Sequence, residues 1–238
     1  MLPKINLIKS QDFHDAWSRA IYFVLEHGTP ITFGDSKDPK SALDSCQLIE
    51  LTGNALEQIK DGWVPIDFNF SGKRLQEYCG KFTREHLVEY NSMPEDTRAT
   101  YIYFDRIANY HGVDQCKIMK EELQAQIDSG IVSNRTRAIT WMPEKDATST
   151  EPPCLQSLQI RYVDDGLVDL HLSWRSRDLA KALPANLVAI SDMLYREVLD
   201  PCNCKIARIV DFSDSLHIYD ADIEDAKKVR VNPMYRNH

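Results

Sequence analysis

Pro152-Pro153-Cys154-Leu155-Gln156-Ser157-Leu158-Gln159-Ile160-Arg161-Tyr162-Val163-Asp164-Asp165-Gly166-Leu167-Val168-Asp169-Leu170-His171-Leu172-Ser173-Trp174-Arg175-Ser176-Arg177-Asp178 is the stretch that decides how this chain is read. Val168, Leu170, Leu172 and Trp174 alternate with Asp169, His171 and Ser173, the period-two pattern of a strand with one buried face. Leu155 to Val163 precedes it, and Asp164-Asp165-Gly166 between them is an acidic turn ending in glycine. The segment predicts a β-hairpin whose two ends carry chemistry. At one end Pro152-Pro153 constrains a turn that presents a thiol; at the other stand an arginine, a serine and an aspartate. Pro184 and Asn186 follow after a short gap. Together these groups suit an anionic, hydrogen-bonding, electrophilic substrate.

Outward from the hairpin, the pattern changes with direction. Downstream, Ala185 to Leu199 reads as a largely apolar helix and Ile206 to Phe212 as a strand. Upstream, Ala138 to Trp141 is a strand, and Glu144 to Glu151 a polar, mobile stretch. Asp114 to Ser129 reads as a helix closed by Gly130, and Arg74 to Tyr90 as another, broken after Asn91. Cys46 to Leu51 is a short strand, preceded by a Gly-, Pro-, Asp- and Lys-rich loop from Gly28 to Ser45. Ser10 to His27 is amphipathic, with Asp12 as N-cap and Gly28 as its stop. Helices packed on a mixed or antiparallel sheet make an α+β domain, with the informative residues near strand ends.

At 238 residues the chain can bury a full core and is most economically one domain. Its 43% apolar and 27% charged residues are those of a folded chain rather than a disordered one. A net charge of -8 gives no basic footprint, which argues against a nucleic-acid polymer as main partner. A nucleotide needs only a local nest of arginines and stays open. No apolar run approaches the ~20 residues of a bilayer span, and Met1 to Asn6 lacks the build of a signal peptide. A cytoplasmic protein with no membrane contact is the expectation. The six cysteines then read as free thiols. Cys202 and Cys204 form a C-x-C with no second pair or histidine cluster beside it, so no metal site is expected.

Taken alone, Cys154 is better explained as a small buried hydrophobe than as a nucleophile. Its neighbours in sequence change that. Pro153-Cys154, Gln159, Arg175-Ser176-Arg177-Asp178 and Pro184-Ala185-Asn186 resemble, in order and spacing, the Pro-Cys, Gln, Arg-Ser-x-Asp and Pro-x-Asn of the thymidylate synthases and their nucleotide hydroxymethylase relatives. Ser215-Leu216-His217-Ile218-Tyr219 is similar to the family's His-x-Tyr. Tyr101 to Ile107, with Asp114-Gln115, is similar to its Tyr-Gly segment and the Asp-Gln after it. Arg135 to Trp141 resembles the arginine-bearing strand that reaches a partner subunit's site. The Pro-Cys-Leu-Gln wording and short length resemble archaeal-type members. The likeness covers Tyr101 to Lys228; residues 1–100 are a divergent part of one domain spanning 1–238.

That resemblance implies a thymidylate synthase-like fold and a homodimer, with dUMP or a related pyrimidine nucleotide and methylenetetrahydrofolate as substrates. It implies roles residue by residue. Cys154 as thiolate adds to C6 of the pyrimidine and turns C5 into a nucleophile. Arg175 and Ser176 bind the 5′-phosphate, with Arg137 and Arg135 reaching it from the other subunit and Gln159 on the substrate side. Asn186 offers an amide to uracil O4 and N3–H. His217 and Tyr219 take the sugar hydroxyl, Asp178 faces the folate's pteridine, and Tyr103 assists proton removal at C5. Glu77 is the suggested general base.

Singly, Asp178 and Asn186 are also ordinary helix caps, His217 a core histidine and Tyr219 a sheet aromatic. Only their ordered spacing favours the functional reading. The chain also departs from the family pattern. Leu155 follows the cysteine, Ala182 and Phe104 replace glycines, and Lys37 and Lys40 are the candidates for a missing N-terminal phosphate loop. The tail Val231 to His238 is unlike the family's apolar closure. Methylation of C5, hydroxymethylation with water in place of hydride, and a silent nucleotide-binding relative all remain open on sequence.

Overall fold

The molecule is described here from a computed structural model covering residues 2–34, 39–64 and 72–230. Lys37 and the tail from Val231 lie outside them. The chain opens with β1 (Ile5–Ser10) and α1 (Phe13–His27), followed by β2 (Thr29–Phe33), β3 (Lys40–Thr52) and α2 (Asn54–Lys60). A helical stretch follows: α3 (Gly72–Gly80), α4 (Arg84–Ser92), α5 (Tyr103–Ala108) and α6 (Gln115–Ser129). The remainder is β4 (Arg137–Ile139), α7 (Pro143–Asp146), β5 (Leu155–Tyr162), β6 (Leu167–Trp174), β7 (Arg177–Asp178), α8 (Ala182–Leu194), β8 (Lys205–Tyr219) and α9 (Ile223–Ala226). This is one α+β domain.

Among the described residues there is one eight-stranded sheet, ordered β1-β3-β8-β6-β5-β4, with β2 extending the β1 side of β3 and β7 extending the β6 side of β8. It is mixed. β1 runs parallel to β3 and β6 parallel to β8, while β3 and β8, β5 and β6, and β4 and β5 are antiparallel. The hairpin forms as its sequence requires, with Asp165 (φ 42°) and Gly166 (φ 72°) both left-handed at the turn. A Cβ on Gly166 would also meet the Asn203 carbonyl oxygen at 2.9 Å, so both conformation and space demand glycine.

Helices cover the apolar face. Asp12 caps α1 by accepting from Asp15 N at 2.8 Å, and α1 buries Phe13, Ala16, Trp17, Ala20, Ile21 and Val24. Trp17 Nε1 donates to the Leu179 carbonyl at 3.0 Å, tying α1 to the segment between β7 and α8. α8 is buried on nearly every side, as its composition requires, and passes into a π-helical turn at Tyr195–Leu199.

Several segments differ from the sequence expectation. The supposed loop from Gly28 to Ser45 contains β2 and the first half of β3. Here the polar Asp44 and Ser45 are buried because Ser215 Oγ donates to Asp44 Oδ1 (2.7 Å) and Ser45 Oγ donates to the Leu216 carbonyl (3.1 Å). β8 likewise runs to Tyr219 rather than stopping at Phe212, and its pairing with β3 shifts register between Ser45 and Gln47. The helix from Arg74 to Tyr90 is two helices, α3 and α4, with Thr83 capping the second through His86 N. The polar stretch after Glu144 begins with α7 and is anchored. Asp146 is buried, and Arg106 grips both its oxygens at 3.0 and 2.8 Å.

Candidate active site

The ends of β5, β6, β7 and β8 open on a cavity of about 650 Å³, closed on the other sides by α3, Tyr103 of α5 and the first turns of α8. Cys154 lines it, immediately before β5. Its carbonyl accepts from Arg175 N at 2.9 Å, which closes the hairpin base. The Arg175 side chain then folds back over the diproline: Nε donates to the Pro153 carbonyl (3.0 Å) and Nη2 to the Pro152 carbonyl (2.6 Å). Nη2 also stands 3.7 Å from Cys154 Sγ. The guanidinium thus places its positive charge beside the sulfur.

Tyr103 sits above the thiol. Its hydroxyl accepts from Leu155 N at 3.3 Å, and its ring meets the edges of Tyr101 (5.3 Å) and Trp174 (6.0 Å). Burial, with Tyr101 and Cys154 adding to it, pushes the Tyr103 hydroxyl well above its ordinary pKa. It therefore remains a protonated donor or a proton conduit at neutral pH.

The back of the cavity is polar and ordered. Asn186, in the second turn of α8, is buried, with Oδ1 accepting from Arg177 Nε (3.2 Å) and Nδ2 donating to the Tyr78 hydroxyl (2.5 Å). Arg177 is itself buried: Nη1 donates to Asp211 Oδ2 (2.6 Å), Nη2 to the Leu183 carbonyl (3.0 Å), and its Cζ lies 4.0 Å from the Trp174 ring centroid. Burial raises the Tyr78 hydroxyl strongly, so it too stays protonated.

On the β8 side, His217 and Tyr219 meet edge to face at 4.8 Å and both border the cavity. His217 is 2% exposed, and burial drives its pKa down to about 4 against a smaller opposing pull from the backbone at Ser215. The ring is neutral at pH 7. Its Nε2 is buried without a protein partner among the described residues, as suits an atom reserved for a ligand. Asp178 Oδ1 accepts from Ala180 N (2.9 Å) and Lys181 N (3.1 Å), while burial raises its carboxyl. Ser176 and Lys181 border the same cavity, and Lys181 Nζ is paired with Asp222 Oδ1 at 2.5 Å.

The structure thus brings together Cys154, Tyr103, Ser176, Asp178, Asn186, His217 and Tyr219. Glu77 reaches the rim from α3, with a side chain 62% exposed and Lys73 Nζ at 3.9 Å. Arg175 lies behind the thiol and is not a lining residue. Arg137, Arg135 and Gln159 lie apart, at the β4 edge of the sheet. Arg137 Nη2 donates to Gln159 Oε1 at 2.5 Å across β4 and β5, and Arg135 extends toward Glu122 at 3.9 Å. Lys40 starts β3 and is exposed. Of the glycine replacements, Ala182 borders the cavity and Phe104 is absorbed into the core. Among the described residues no helix is long and apolar enough to cross a membrane, and no cluster of three or more metal-type ligands occurs.

Sequence reasoning missed Arg177 and Tyr78. The signal for Arg177 lay elsewhere in the chain: Asp211 interrupts the apolar run Ile209-Val210-Asp211-Phe212, and a carboxylate buried there demands a cationic partner. Tyr78 lies one residue after Glu77 and carries no local signal beyond helical periodicity.

A thiol beside an arginine, facing a cavity floored by an amide and flanked by a neutral imidazole, is an arrangement that suits nucleophilic-cysteine chemistry. Comparison with known proteins makes this specific: residues 58–235 match the thymidylate synthase family, and the chain belongs to it. It is 30% identical over 219 residues to a Methanosarcina barkeri protein named "Putative thymidylate synthase", covering 91% of each chain. It is 31% identical over 229 residues to a Methanococcoides burtonii protein of the same name, covering 94% of each. A Mycoplasma pneumoniae thymidylate synthase is 31% identical over 126 residues, 53% of this chain and 42% of that one. The thymidylate synthase-like fold and the archaeal flavour of the motifs are both borne out.

Proposed function

We propose that the cavity takes dUMP and that Cys154 begins a one-carbon transfer to C5 of its uracil, giving thymidylate. The observation that carries this reading is Arg175 Nη2 at 3.7 Å from a cavity-lining Cys154 Sγ, with Asn186 and a His217 Nε2 that has no partner among the described residues in the same cavity. The thiolate forms a bond to C6, and the electron pair of the C5–C6 double bond moves onto C5 and O4. The Asn186 amide, donor at Nδ2 and acceptor at Oδ1, meets O4 and N3–H and stabilises the charge that develops there. C5 forms its bond to the one-carbon unit, and loss of the C5 proton follows, assisted by Tyr103. Glu77 at the rim is proposed as the general base that hands protons in and out. The electron pair left by the C5 proton breaks the bond between the one-carbon unit and the folate nitrogen, leaving a methylene on C5. Hydride delivered to this methylene then reforms the C5–C6 double bond and expels the Cys154 thiolate. His217 Nε2, as the acceptor of a neutral ring, and the Tyr219 hydroxyl take the sugar, while Ser176 and Arg175 stand on the phosphate side.

The residues present suit methylenetetrahydrofolate as co-substrate, because Asp178 presents a half-buried carboxyl to the cavity where a pteridine's N–H groups require an acceptor. When bound it supplies the carbon and the hydride that completes the methyl group, leaving dihydrofolate. Arg137, on the edge strand β4, and Arg135, two residues before it, lie outside their own cavity, which supports a homodimer in which each chain lends them to the other's phosphate site. Ala182, a methyl group on the cavity wall where the family pattern has glycine, favours keeping a second reading: 5-hydroxymethylation, with water taking the place of hydride. Tritium release from C5-labelled dUMP tests the shared chemistry. Release is expected with the wild-type chain and none with Cys154→Ser; equal release by both removes Cys154 from its role.

A further inference from the structure

The orientation of the Asn186 amide is not left to the ligand. An amide can flip, exchanging its acceptor and donor ends at little steric cost, and the Tyr78 hydroxyl is indifferent because a phenol accepts as readily as it donates. Arg177 is not indifferent. A guanidinium has donors only, so the end of Asn186 that meets Nε at 3.2 Å must be the carbonyl oxygen. Nor can the guanidinium turn aside. Asp211 holds Nη1 at 2.6 Å, the Leu183 carbonyl holds Nη2 at 3.0 Å, and Trp174 packs against its face, all with Arg177 only 2% exposed.

Orientation matters because the two pyrimidines present opposite edges. Uracil shows an acceptor at O4 and a donor at N3–H; cytosine shows a donor at the 4-amino group and an acceptor at N3. The bond from Cys154 to C6 fixes which ring positions lie opposite the amide. One orientation then matches uracil, and the flipped one matches cytosine. We propose that Arg177, charge-balanced by Asp211, is a positioning residue that sets the uracil-over-cytosine preference of this site by forbidding the flip of Asn186. The inference rests on the uracil nucleotide reading above. It adds a determinant at the unspecified position of Arg-Ser-x-Asp, a residue at the cavity wall that acts through Asn186.

Equilibrium titration of dUMP and of dCMP, without folate, tests it in three proteins. These are the wild-type chain, Arg177→Lys, and the paired variant Arg177→Met with Asp211→Leu, which leaves no buried carboxylate stranded. The wild-type chain is expected to favour dUMP, and both variants to lose about tenfold or more of the dUMP-to-dCMP affinity ratio, because a flipped amide becomes accessible. Arg177→Lys keeps a charge opposite Asp211 but lacks the fixed fork, so it reports even if the paired variant fails to fold. A wild-type preference that persists unchanged in a folded variant overturns the inference alone, as does a uniform loss for both nucleotides at constant ratio. Absence of any preference in the wild-type chain overturns the uracil reading and the inference with it.

Discussion

Arg175 Nη2 stands 3.7 Å from Cys154 Sγ while the same guanidinium is tied to the carbonyls of Pro153 and Pro152, so one side chain both shapes the cysteine turn and charges its surroundings. The sulfur's reactivity should therefore depend on it. Arg175→Met is expected to slow alkylation of Cys154 by iodoacetamide at pH 7 by at least several-fold, since a neutral neighbour no longer favours the thiolate. Peptide mapping of labelled Cys154 over time provides the check; an unchanged rate would assign Arg175 to turn structure alone.

His217 gives the fold a predictable weakness in acid. Its pKa falls from an ordinary 6.5 to about 4 on folding, so between those values the unfolded chain binds the proton and the folded chain does not. Stability is then unaffected above about pH 6.5 and declines as pH falls through the window to about 4, by roughly 3 kcal/mol in all. Urea titrations across that range are expected to show a shallower decline for His217→Gln. Parallel declines in the two proteins would place the acid sensitivity elsewhere.

Arg106 and Asp146 form a buried bidentate pair that anchors the segment leading to Cys154, and Met142 N adds a 2.7 Å bond to the same carboxylate. Asp146→Ala leaves a buried guanidinium uncompensated and is expected to cost about 3–5 kcal/mol. The paired change Arg106→Met with Asp146→Leu should recover most of that. Chemical denaturation of the three proteins measures both effects, and a mild single-variant loss would contradict the burial argument.

Tyr78 accepts from Asn186 Nδ2, so its own hydrogen is directed elsewhere, and the residue borders the cavity. Tyr78→Phe is expected to weaken nucleotide binding about threefold to tenfold, the worth of a neutral hydrogen bond, with little change in the melting temperature. Calorimetry of dUMP binding beside thermal melts separates this from simple destabilisation.

The hairpin, the helices after Asp12 and Asp114, and part of the cavity lining were legible because each rests on a local rule: alternation, a capping side chain, or an ordered motif. The early strands were not. Asp44, Ser45 and Ser215 look like loop residues, and they enter strands only because Asp44 meets Ser215 and Ser45 meets Leu216 from a distant part of the chain. The same reason hid Arg177, whose partners Asp211 and Asn186 lie 34 and 9 residues away. Arg175 was read as a phosphate ligand from the motif; that the structure also ties two of its donors to the diproline carbonyls is an arrangement that no spacing encodes.

The most direct test of the central claim is mass spectrometry of the nucleotide formed from dUMP and methylenetetrahydrofolate, with dihydrofolate followed by absorbance. The account predicts thymidylate and dihydrofolate in equal amounts, and neither with Cys154→Ser. Hydroxymethyl-dUMP without dihydrofolate would contradict the methylation proposed here and move the chain to the hydroxymethylase reading. Unaltered dUMP would contradict one-carbon transfer altogether.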